Sequence, residues 1–187
     1  IGKINGLQED NISALGFDSN KNQLIIGYLS GNIDIVVENE IISLDLTTNS
    51  QVIGSKRINH IISSGTMAFI STDYGLLNLD LNQLEIRETY RQLGRNAEQI
   101  GVNQALIIQD SIFLATESGV ISSDVSSNLN LADPANWRRY SEDSDLPQVA
   151  YQFILTFNNA IHVFNSDSVY RLDKENWEVI PELTNIM

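Results

Sequence analysis

The sequence predicts an all-β fold, and three observations support this prediction. Apolar and β-branched residues come in runs of four to seven, separated by Asn, Asp, Ser and Gly, which is typical of short strands joined by tight turns. No segment of the chain reads convincingly as a helix. Hydrophobic residues make up 42% of the 187 residues and charged residues 19%, so the chain can bury a sizeable core.

A repeat runs through the whole chain. The segments IIGYLSGNIDIV, FISTDYGLLNLDL and FLATESGVISSDV align on Gly31, Gly75 and Gly119, which recur at intervals of 44 residues. A degenerate fourth copy, HVFNSDSVYRLD, places Ser168 at the same point, 49 residues further on. Four strands per unit at a period in the mid-forties are the signature of β-propeller blades. We therefore predict a β-propeller with about four blades of four antiparallel strands in this chain.

Because the repeat extends over the whole chain, we predict that residues 1–187 form a single propeller fragment. The turn glycine of each blade should adopt a positive φ, which tightens the hairpin between the second and third strands. The approximate blades are residues 1–50, 51–94, 95–141 and 142–187. The strands expected in the first blade are Ile12 to Phe17, Leu24 to Tyr28, Ile33 to Val36 and Ile41 to Leu46. The strands expected in the fourth are Val149 to Phe157, Ala160 to Phe164, Val169 to Asp173 and Trp177 to Ile180.

Composition and charge exclude several classes of function. With 24 acidic against 11 basic residues the formal net charge is −13, which disfavours nucleic acid and anionic membrane surfaces as partners. The chain has no Cys, so disulfides, thiol catalysis and a Cys-ligated zinc are excluded. Its apolar runs are much shorter than the roughly 20 residues that cross a bilayer. The chain begins at Ile1 without an initiator Met, so we expect an excised piece or a mature segment.

The sequence predicts no catalytic residue, no metal site and no cofactor. His60 and His162 lie in separate predicted strands without carboxylate motifs nearby, and we expect both in the core or wall. The segment DSNKNQ at Asp18 lacks the Gly and Glu of a calcium loop and is expected to be a hairpin turn. SEDSD at residues 141–145 is expected to be a solvated acidic loop, with a cation site as the alternative. The sequence does not exclude a glycosidase-type pair of carboxylates, because the distance between two such groups is set by the fold.

Strand order predicts where a ligand would bind. In an up-and-down blade the turn between the second and third strands lies at the same end as the connections between blades, so loops converge there. Carboxylates and tyrosines at this end could form hydrogen bonds with sugar hydroxyls, and only two arginines there could bind an anionic group. The alternative to a ligand-binding site is a solvated rim without a ligand. The candidate ligand-binding residues are Tyr28, Asp73, Tyr74, Glu117 and Asp167 from the hairpins and Arg91 and Arg95 from the connections, with Glu9, Asp10, Glu142 and Asp143 beside them.

The third blade carries an insertion at the other end. The twelve residues VSSNLNLADPAN separate Asp124 from Trp137, whereas only KEN precedes Trp177 in the fourth blade. A loop of this length is often an interaction site, but it is also where sequence drift is best tolerated. Trp137 and Trp177 are expected to pack between outer strands.

Four stretches carry a resemblance to known families. INGLQEDNISALGFDSNKNQLIIGYLSGNID resembles the two-component-regulator propeller repeat of Bacteroidetes-type bacteria, and NWRRYSEDSDLPQVAYQFILTFNNAIHVFNSDSVYRLDKENWEVI is similar to it. More narrowly, GNIDIVVENEIISLDLTTNSQVIGSKRINHI followed by DYGLLNLDLNQLEIRETY resembles the amino-terminal propeller of PorZ-type proteins of the type IX secretion system. The resemblance covers most of the chain, and its motifs are structural.

The resemblance implies a non-enzymatic module exported to the cell surface or periplasm of a Gram-negative bacterium. Its partners would be other secretion-system or cell-envelope proteins, with lipopolysaccharide or an oligosaccharide as ligand, in the attachment of cargo linked to anionic lipopolysaccharide. The alternative is a ligand-sensing propeller of a hybrid two-component regulator. An enzyme acting on glycans, with Asp73 or Glu117 as its carboxylate, is a distant third hypothesis.

The blade count implies missing neighbours. Four blades seldom close alone in this family, so we expect the other blades to lie outside the chain or to come from a partner. Their absence would expose apolar sheet faces, and we expect this chain alone to be marginally stable or self-associating.

Overall fold

The structure is a computed structural model that describes residues 6–46, 52, 54–126, 129–143 and 146–181. These residues form four antiparallel sheets of four strands with almost no helix, which confirms the predicted all-β fold. Sheet 1 contains β1 (Ile12–Asp18), β2 (Gln23–Tyr28), β3 (Ile33–Val37) and β4 (Glu40–Leu44). Sheet 2 contains β5 (Ile58–Ser64), β6 (Met67–Thr72), β7 (Gly75–Asp80) and β8 (Glu85–Tyr90). Sheet 3 contains β9 (Val102–Ile108), β10 (Ser111–Thr116), β11 (Gly119–Asp124) and β12 (Arg138–Arg139). Sheet 4 contains β13 (Phe153–Phe157), β14 (Ala160–Phe164), β15 (Val169–Asp173) and β16 (Asn176–Val179).

Strand order within each sheet follows the chain, as in the up-and-down blade that the sequence predicts. The strands expected in the first and fourth blades are all present, and only one of them starts more than one residue from its expected position. Strand β13 begins at Phe153 and not at Val149. The preceding residues form the connection, because the Val149 N–H bonds to the Pro147 carbonyl and the Tyr151 N–H to the Thr116 carbonyl.

The chain divides into two compact units, residues 1–91 and 92–187. In unit 1, sheets 1 and 2 bury a core of aliphatic side chains between them. Two glycines of sheet 1 allow close packing: a Cβ at Gly16 would lie 2.4 Å from the Ile61 Cγ2, and one at Gly27 would lie 2.6 Å from the Ile58 Cγ2. The core residues of unit 1 include Ile25, Ile33 and Ile35 from sheet 1 and Ile58, Ile61, Ala68, Ile70, Leu77 and Leu79 from sheet 2.

In unit 2, sheets 3 and 4 bury a second core that is richer in aromatic rings. The Tyr140 ring stacks on Phe113 at 6.1 Å between centroids and meets Trp177 edge-on at 5.6 Å. The buried Trp137 side chain donates its Nε1–H to the Leu131 carbonyl, so it anchors the insertion before β12. The other core residues of unit 2 include Ala115 and Val120 from sheet 3 and Ile154, Ile161 and Val163 from sheet 4.

The turns between second and third strands have two geometries. Gly75 and Gly119 directly follow two-residue turns and have φ of 136° and 130°, and the threonine three residues earlier donates its hydroxyl to the glycine carbonyl in both. Gly31 also has a positive φ, 95°, but its turn is one residue longer, because the Tyr28 N–H bonds to the Asn32 carbonyl. Asn32, and not Gly31, therefore occupies the point that corresponds to Gly75.

Short helical turns appear where the sequence suggested none. Residues Tyr140–Asp143 form a single α-helical turn, α1, and Arg95–Ala97 and Pro134–Asn136 form 3₁₀ turns. The last of these has a local cause, because Pro134 occupies its first turn and the Asp133 carboxylate caps it by accepting the Ala135 N–H at 2.9 Å. Single turns carry no hydrophobic period that a sequence pattern detects.

Some predicted features lie outside the described residues. These are Ile4 and Asn5 at the start of the stretch INGLQEDN, Ser144 and Asp145 of the acidic segment SEDSD, and the side chains of Glu142 and Asp143.

Candidate ligand-binding site

The turn between the second and third strands lies beside the start of the first strand in three of the four sheets. The Leu29 N–H bonds to the Asn11 carbonyl, the Asp73 N–H to the Arg57 carbonyl and the Glu117 N–H to the Gly101 carbonyl, each at 3.1 Å. The hairpin turns and the connections between sheets therefore share an end, which we call the hairpin end of each unit.

At the hairpin end of unit 1, sheet 2 brings three of the predicted residues together. The half-buried Asp73 accepts a hydrogen bond from the Asn59 Nδ2 at 2.8 Å, which fixes its carboxylate beside the turn. The Arg91 guanidinium lies 5.8 Å from the centroid of the buried Tyr74 ring, a cation–π distance. Burial raises the pKa of Tyr74 above its usual value, and the charge of Arg91 offsets part of that shift.

Two further cationic residues lie at this end, and the sequence reasoning missed them. A Cβ at Gly31 would lie 2.8 Å from the Cβ of Lys56, and the Arg57 carbonyl accepts from Asp73, so the Lys56–Arg57 segment contacts the turns of both sheets. The expectation that only Arg91 and Arg95 could meet an anion was therefore too narrow. The signal was available, since both residues immediately precede strand β5 and thus stand in a connection.

Tyr28 lies inside sheet 1 and not on a rim. Its fully buried hydroxyl donates to the Asp34 carboxylate at 2.6 Å, and that carboxylate also accepts from the Ser43 hydroxyl at 2.6 Å and from the Gln8 N–H and Nε2–H at 2.8 Å each. Burial tends to raise the pKa of Asp34, but the hydrogen bonds from Ser43, Tyr28 and Gln8 outweigh it and lower the pKa below its usual value. Burial, followed by the bond to Asp34, raises the pKa of Tyr28.

Glu9 organises a second polar cluster in unit 1. Its carboxylate accepts from the Ser30 hydroxyl at 2.6 Å and from the Asn32 Nδ2 at 2.8 Å. A shallow groove of about 550 Å³ lies beside it and is lined by polar residues only, namely Gln8, Glu9, Asp10, Asn11 and Asn32. This cluster closes the longer first hairpin, because the Asn32 Oδ1 also accepts the Leu46 N–H.

In unit 2 the predicted residues each have separate local surroundings. The exposed Glu117 carboxylate accepts the Gly101 N–H at 3.2 Å. Asp167 is exposed in the turn of sheet 4, where the Asn165 side chain accepts the N–H groups of Asp167 and Ser168. Asn165 thus accepts N–H groups of its turn, as the Thr72 hydroxyl accepts that of Tyr74 and the Thr116 hydroxyl that of Ser118.

Arg95 lies against the insertion of the third blade. It lines a groove of about 390 Å³ together with the turn at residues 133–135 and with Arg139. The Arg139 guanidinium connects the two segments, since it donates to the carbonyls of Leu93 and Gly94 on one side and to those of Pro134 and Trp137 on the other. The insertion was expected at the opposite end of the blade, yet its second half reaches the connection that carries Arg95.

Arg139 therefore offers a test of this arrangement. Replacing it with Met, which keeps the aliphatic stem, should destabilise unit 2 by about 2 kcal/mol, because four carbonyls lose a charged donor. Faster hydrogen exchange should appear in residues 93–98 and 130–137 together. Arg138→Met is the matched control, since the side chain of that neighbouring residue lies over the Tyr140 ring and pairs with the exposed Glu175. Equal exchange in both variants would contradict the bridging role.

The two histidines do not form a site with acidic residues in the described part of the chain, where no group of three metal-ligating side chains occurs. His60 is half-buried on β5, and burial lowers its pKa, so its ring is neutral at pH 7. His162 is buried on β14 and its ring meets Phe157 edge-on at 5.9 Å. No helix in the described ranges is long and apolar enough to cross a membrane.

Repeated four-stranded antiparallel sheets that pack face to face within each unit define the chain as a β-propeller protein. A family model described as the TSS9, PorZ, N-terminal beta-propeller domain matches residues 1–138. The chain therefore belongs to the family of PorZ amino-terminal β-propeller domains, and the predicted resemblance is confirmed. No curated protein sequence matches it.

Solved structures share this fold. PorZ of Porphyromonas gingivalis, described as an essential bacterial surface component of the type IX secretion system, is 25% identical over 96% of this chain, with a TM-score of 0.78. The extracellular domain of a proposed hybrid two-component system of B. thetaiotaomicron is 12% identical over 94% of the chain, with a TM-score of 0.69. A computationally designed protein is 13% identical over 94% of this chain and 92% of its own, with a TM-score of 0.55. This chain spans 23% of the length of the first two structures.

Proposed function

We propose that the chain is a non-enzymatic scaffold propeller of an exported cell-surface protein, which acts in type IX secretion and in the attachment of cargo linked to anionic lipopolysaccharide. Its membership of the PorZ propeller family over residues 1–138 is the observation that carries this proposal. The likeness to a secretion-system surface component over 96% of the chain supports it further.

The hydrogen bonds made by the carboxylates support a role in binding and not in catalysis. Asp73 is held by Asn59, Glu117 by the Gly101 N–H, and Asp34 by four donors in the interior of sheet 1. The hydrogen bonds to Asp34 lower its pKa, whereas a general acid requires a raised pKa. The carboxylates therefore hold turns and strands in place.

The hairpin end of unit 1 is the part of the chain best suited to an anionic saccharide. There the Lys56–Arg57 segment lies against the turns of both sheets, and the Arg91 guanidinium lies over the ring of Tyr74, the neighbour of Asp73 in its turn. Cationic groups bind phosphate or carboxylate substituents, while a carboxylate and an aromatic ring bind sugar hydroxyls and the apolar face of a sugar ring. Because the chain as a whole carries a net charge of −13, binding of an anion must depend on this local group of cations.

Binding to purified anionic lipopolysaccharide tests the proposal. Calorimetry should show that Arg57→Ala combined with Arg91→Ala weakens binding at least about tenfold, which corresponds to the loss of two charge-assisted contacts. Arg171→Ala is the matched control, since that exposed arginine on β15 pairs with Glu178 in unit 2. In the bacterium of origin, the double variant of the whole protein should leave less cargo on the cell surface, whereas the Arg171 variant should not.

Two results would contradict the proposal. If the double variant binds anionic lipopolysaccharide as the unchanged chain does, the hairpin end of unit 1 is not the site. If both proteins bind a neutral oligosaccharide instead, and cargo attachment is unchanged, an oligosaccharide sensor of the hybrid two-component type explains the chain better.

A further inference from the structure

Two buried oxygen atoms of sheet 1 lie on neighbouring strands without a hydrogen-bond donor. Asp18 ends β1 and Gln23 begins β2, and the two residues are cross-strand partners, so their side chains share one face of the sheet. They are only 2% and 7% exposed. Within the part of the chain that the structure describes, neither the Asp18 Oδ2 nor the Gln23 Oε1 accepts a hydrogen bond.

The face that carries these two oxygens is the one that packs on sheet 2. Gly16, two residues before Asp18 on the same face, lies so close to Ile61 of sheet 2 that a Cβ would not fit between them. Gln23 extends the row of Ile25, which belongs to the core of unit 1. Asp18 and Gln23 are therefore polar side chains at the edge of an apolar contact between two sheets.

Sheet 2 closes over sheet 1 at this edge through two polar contacts. The Ser63 hydroxyl on β5 donates to the Phe17 carbonyl at 3.3 Å. The Lys21 Nζ, in the turn between β1 and β2, donates to the Asn82 Oδ1 in the turn between β7 and β8. These contacts fix the turn that carries Asp18 against sheet 2.

The unpartnered oxygen distinguishes Asp18 from Asp80, a second buried aspartate at the same end of unit 1. The Asp80 Oδ1 accepts two N–H groups of its own turn, and its Oδ2 lies 3.8 Å from the Arg87 guanidinium. The Asp18 Oδ1 likewise accepts the Asn20 N–H, at 3.1 Å. Its Oδ2, however, has neither a donor nor a cation as partner among the described residues.

Two neighbouring buried acceptors require a ligand that can donate to both of them. Buried polar groups in folded proteins are almost always hydrogen-bonded, and ordered water bridges those that lack a protein partner. A water molecule has two O–H groups, which matches the two oxygens. A calcium ion takes about six to eight oxygen ligands, and an enclosed position with two unpartnered oxygens provides too few.

We propose that Asp18 and Gln23 form the binding site of one structural water molecule. The water donates one hydrogen bond to the Asp18 Oδ2 and the other to the Gln23 Oε1. It thereby joins the ends of β1 and β2 at the edge of the contact with sheet 2. The segment DSNKNQ, which lacks the residues of a calcium loop, would thus hold a water molecule beside its turn. This site is independent of the function proposed above.

A high-resolution crystal structure of the 187-residue chain tests the site. One density peak should lie about 2.8 Å from both oxygens. In Gln23→Met the peak should be lost, because a buried water needs at least about two polar partners and this variant leaves one. Gln83→Met is the matched control, since Gln83 is exposed in the β7–β8 turn at the same end of unit 1, and its variant should keep the peak.

Measurements in solution provide a second readout. Nuclear Overhauser cross-peaks from a long-lived water to amide protons at the ends of β1 and β2 should appear in the unchanged chain and in Gln83→Met. They should disappear in Gln23→Met. An excess of CaCl₂ or of EDTA should leave the thermal midpoint of the unchanged chain where it is, because the ligand is water and not a cation.

Several results would overturn the inference. One is a direct hydrogen bond between the Gln23 amide and the Asp18 carboxylate, with no peak between them. Another is the Lys21 ammonium at the position of the peak. A peak with the short distances and many ligands of calcium, together with a midpoint that EDTA lowers, would identify a cation site instead. Persistence of the peak in Gln23→Met would show that Gln23 does not bind the water.

Discussion

Replacing Gly75 with Ala is expected to destabilise unit 1 by about 4 kcal/mol. Two costs add at this position. The φ of 136° lies in a region that side chains with a Cβ rarely adopt, and the added Cβ would lie 2.1 Å from the Tyr90 carbonyl oxygen. The turn has little freedom to relax, because the Thr72 hydroxyl holds the Gly75 carbonyl at 2.9 Å.

Gly119 provides a matched control in the next repeat. Its φ is 130°, but a Cβ there would meet only the Ser141 side chain, at 3.3 Å. Gly119→Ala should therefore carry the conformational cost alone, about 2 kcal/mol. Hydrogen exchange suits the comparison, because it reports opening of each sheet separately, whereas both tryptophans lie in unit 2 and tryptophan fluorescence does not report on unit 1. Equal destabilisation by the two substitutions would show that the Tyr90 carbonyl moves away from the added Cβ and that the clash adds no cost.

The fold could be predicted from the sequence because the repeat and the strand pattern both arise from the structure of a single blade. Each sheet must bury apolar residues on a two-residue period, and each hairpin needs a positive φ, so both signals recur at Gly75 and Gly119. The equal spacing gave one wrong alignment. Gly31 and Gly75 are 44 residues apart, but the first hairpin is one residue longer, so Asn32 and not Gly31 corresponds to Gly75. Spacing along a chain cannot show which strand or connection gains a residue while another loses one.

The candidate site was harder to predict, because its composition depends on side-chain direction and on contacts between distant segments. The position of Tyr28 near a hairpin suggested a ligand contact, yet its hydroxyl turns inward to Asp34. Lys56 and Arg57 reach the turns of two sheets only through tertiary packing. Asp34 itself looked like one more polar residue of a strand, since nothing local distinguishes a buried carboxylate with four donors from a solvated one.

Replacing Asp34 with Ala is expected to destabilise unit 1 by about 3 kcal/mol. The carboxylate is fully buried and accepts four hydrogen bonds, from Tyr28, from Ser43 and twice from Gln8. Its removal leaves the buried Tyr28 hydroxyl without its acceptor, and an unsatisfied buried donor costs about 1 to 3 kcal/mol. Tyr28→Phe, which removes one donor and leaves the carboxylate otherwise bonded, should cost about 1 kcal/mol in the same hydrogen-exchange measurement.

The pH dependence distinguishes a lost charge from lost packing. Because the pKa of Asp34 is lower in the folded chain than the value of about 3.9 in an unfolded one, its contribution to stability is present above pH 4 and disappears as the pH falls through the folded value. The unchanged chain should thus be more stable than Asp34→Asn at pH 6, and the difference should shrink below pH 4. Glu40→Gln is the control, since Glu40 is an exposed carboxylate on β4 of the same sheet. Denaturation midpoints of unchanged and Asp34→Asn chains that run parallel from pH 6 to pH 2.5 would show that Asp34 acts in sheet 1 by shape and not by charge.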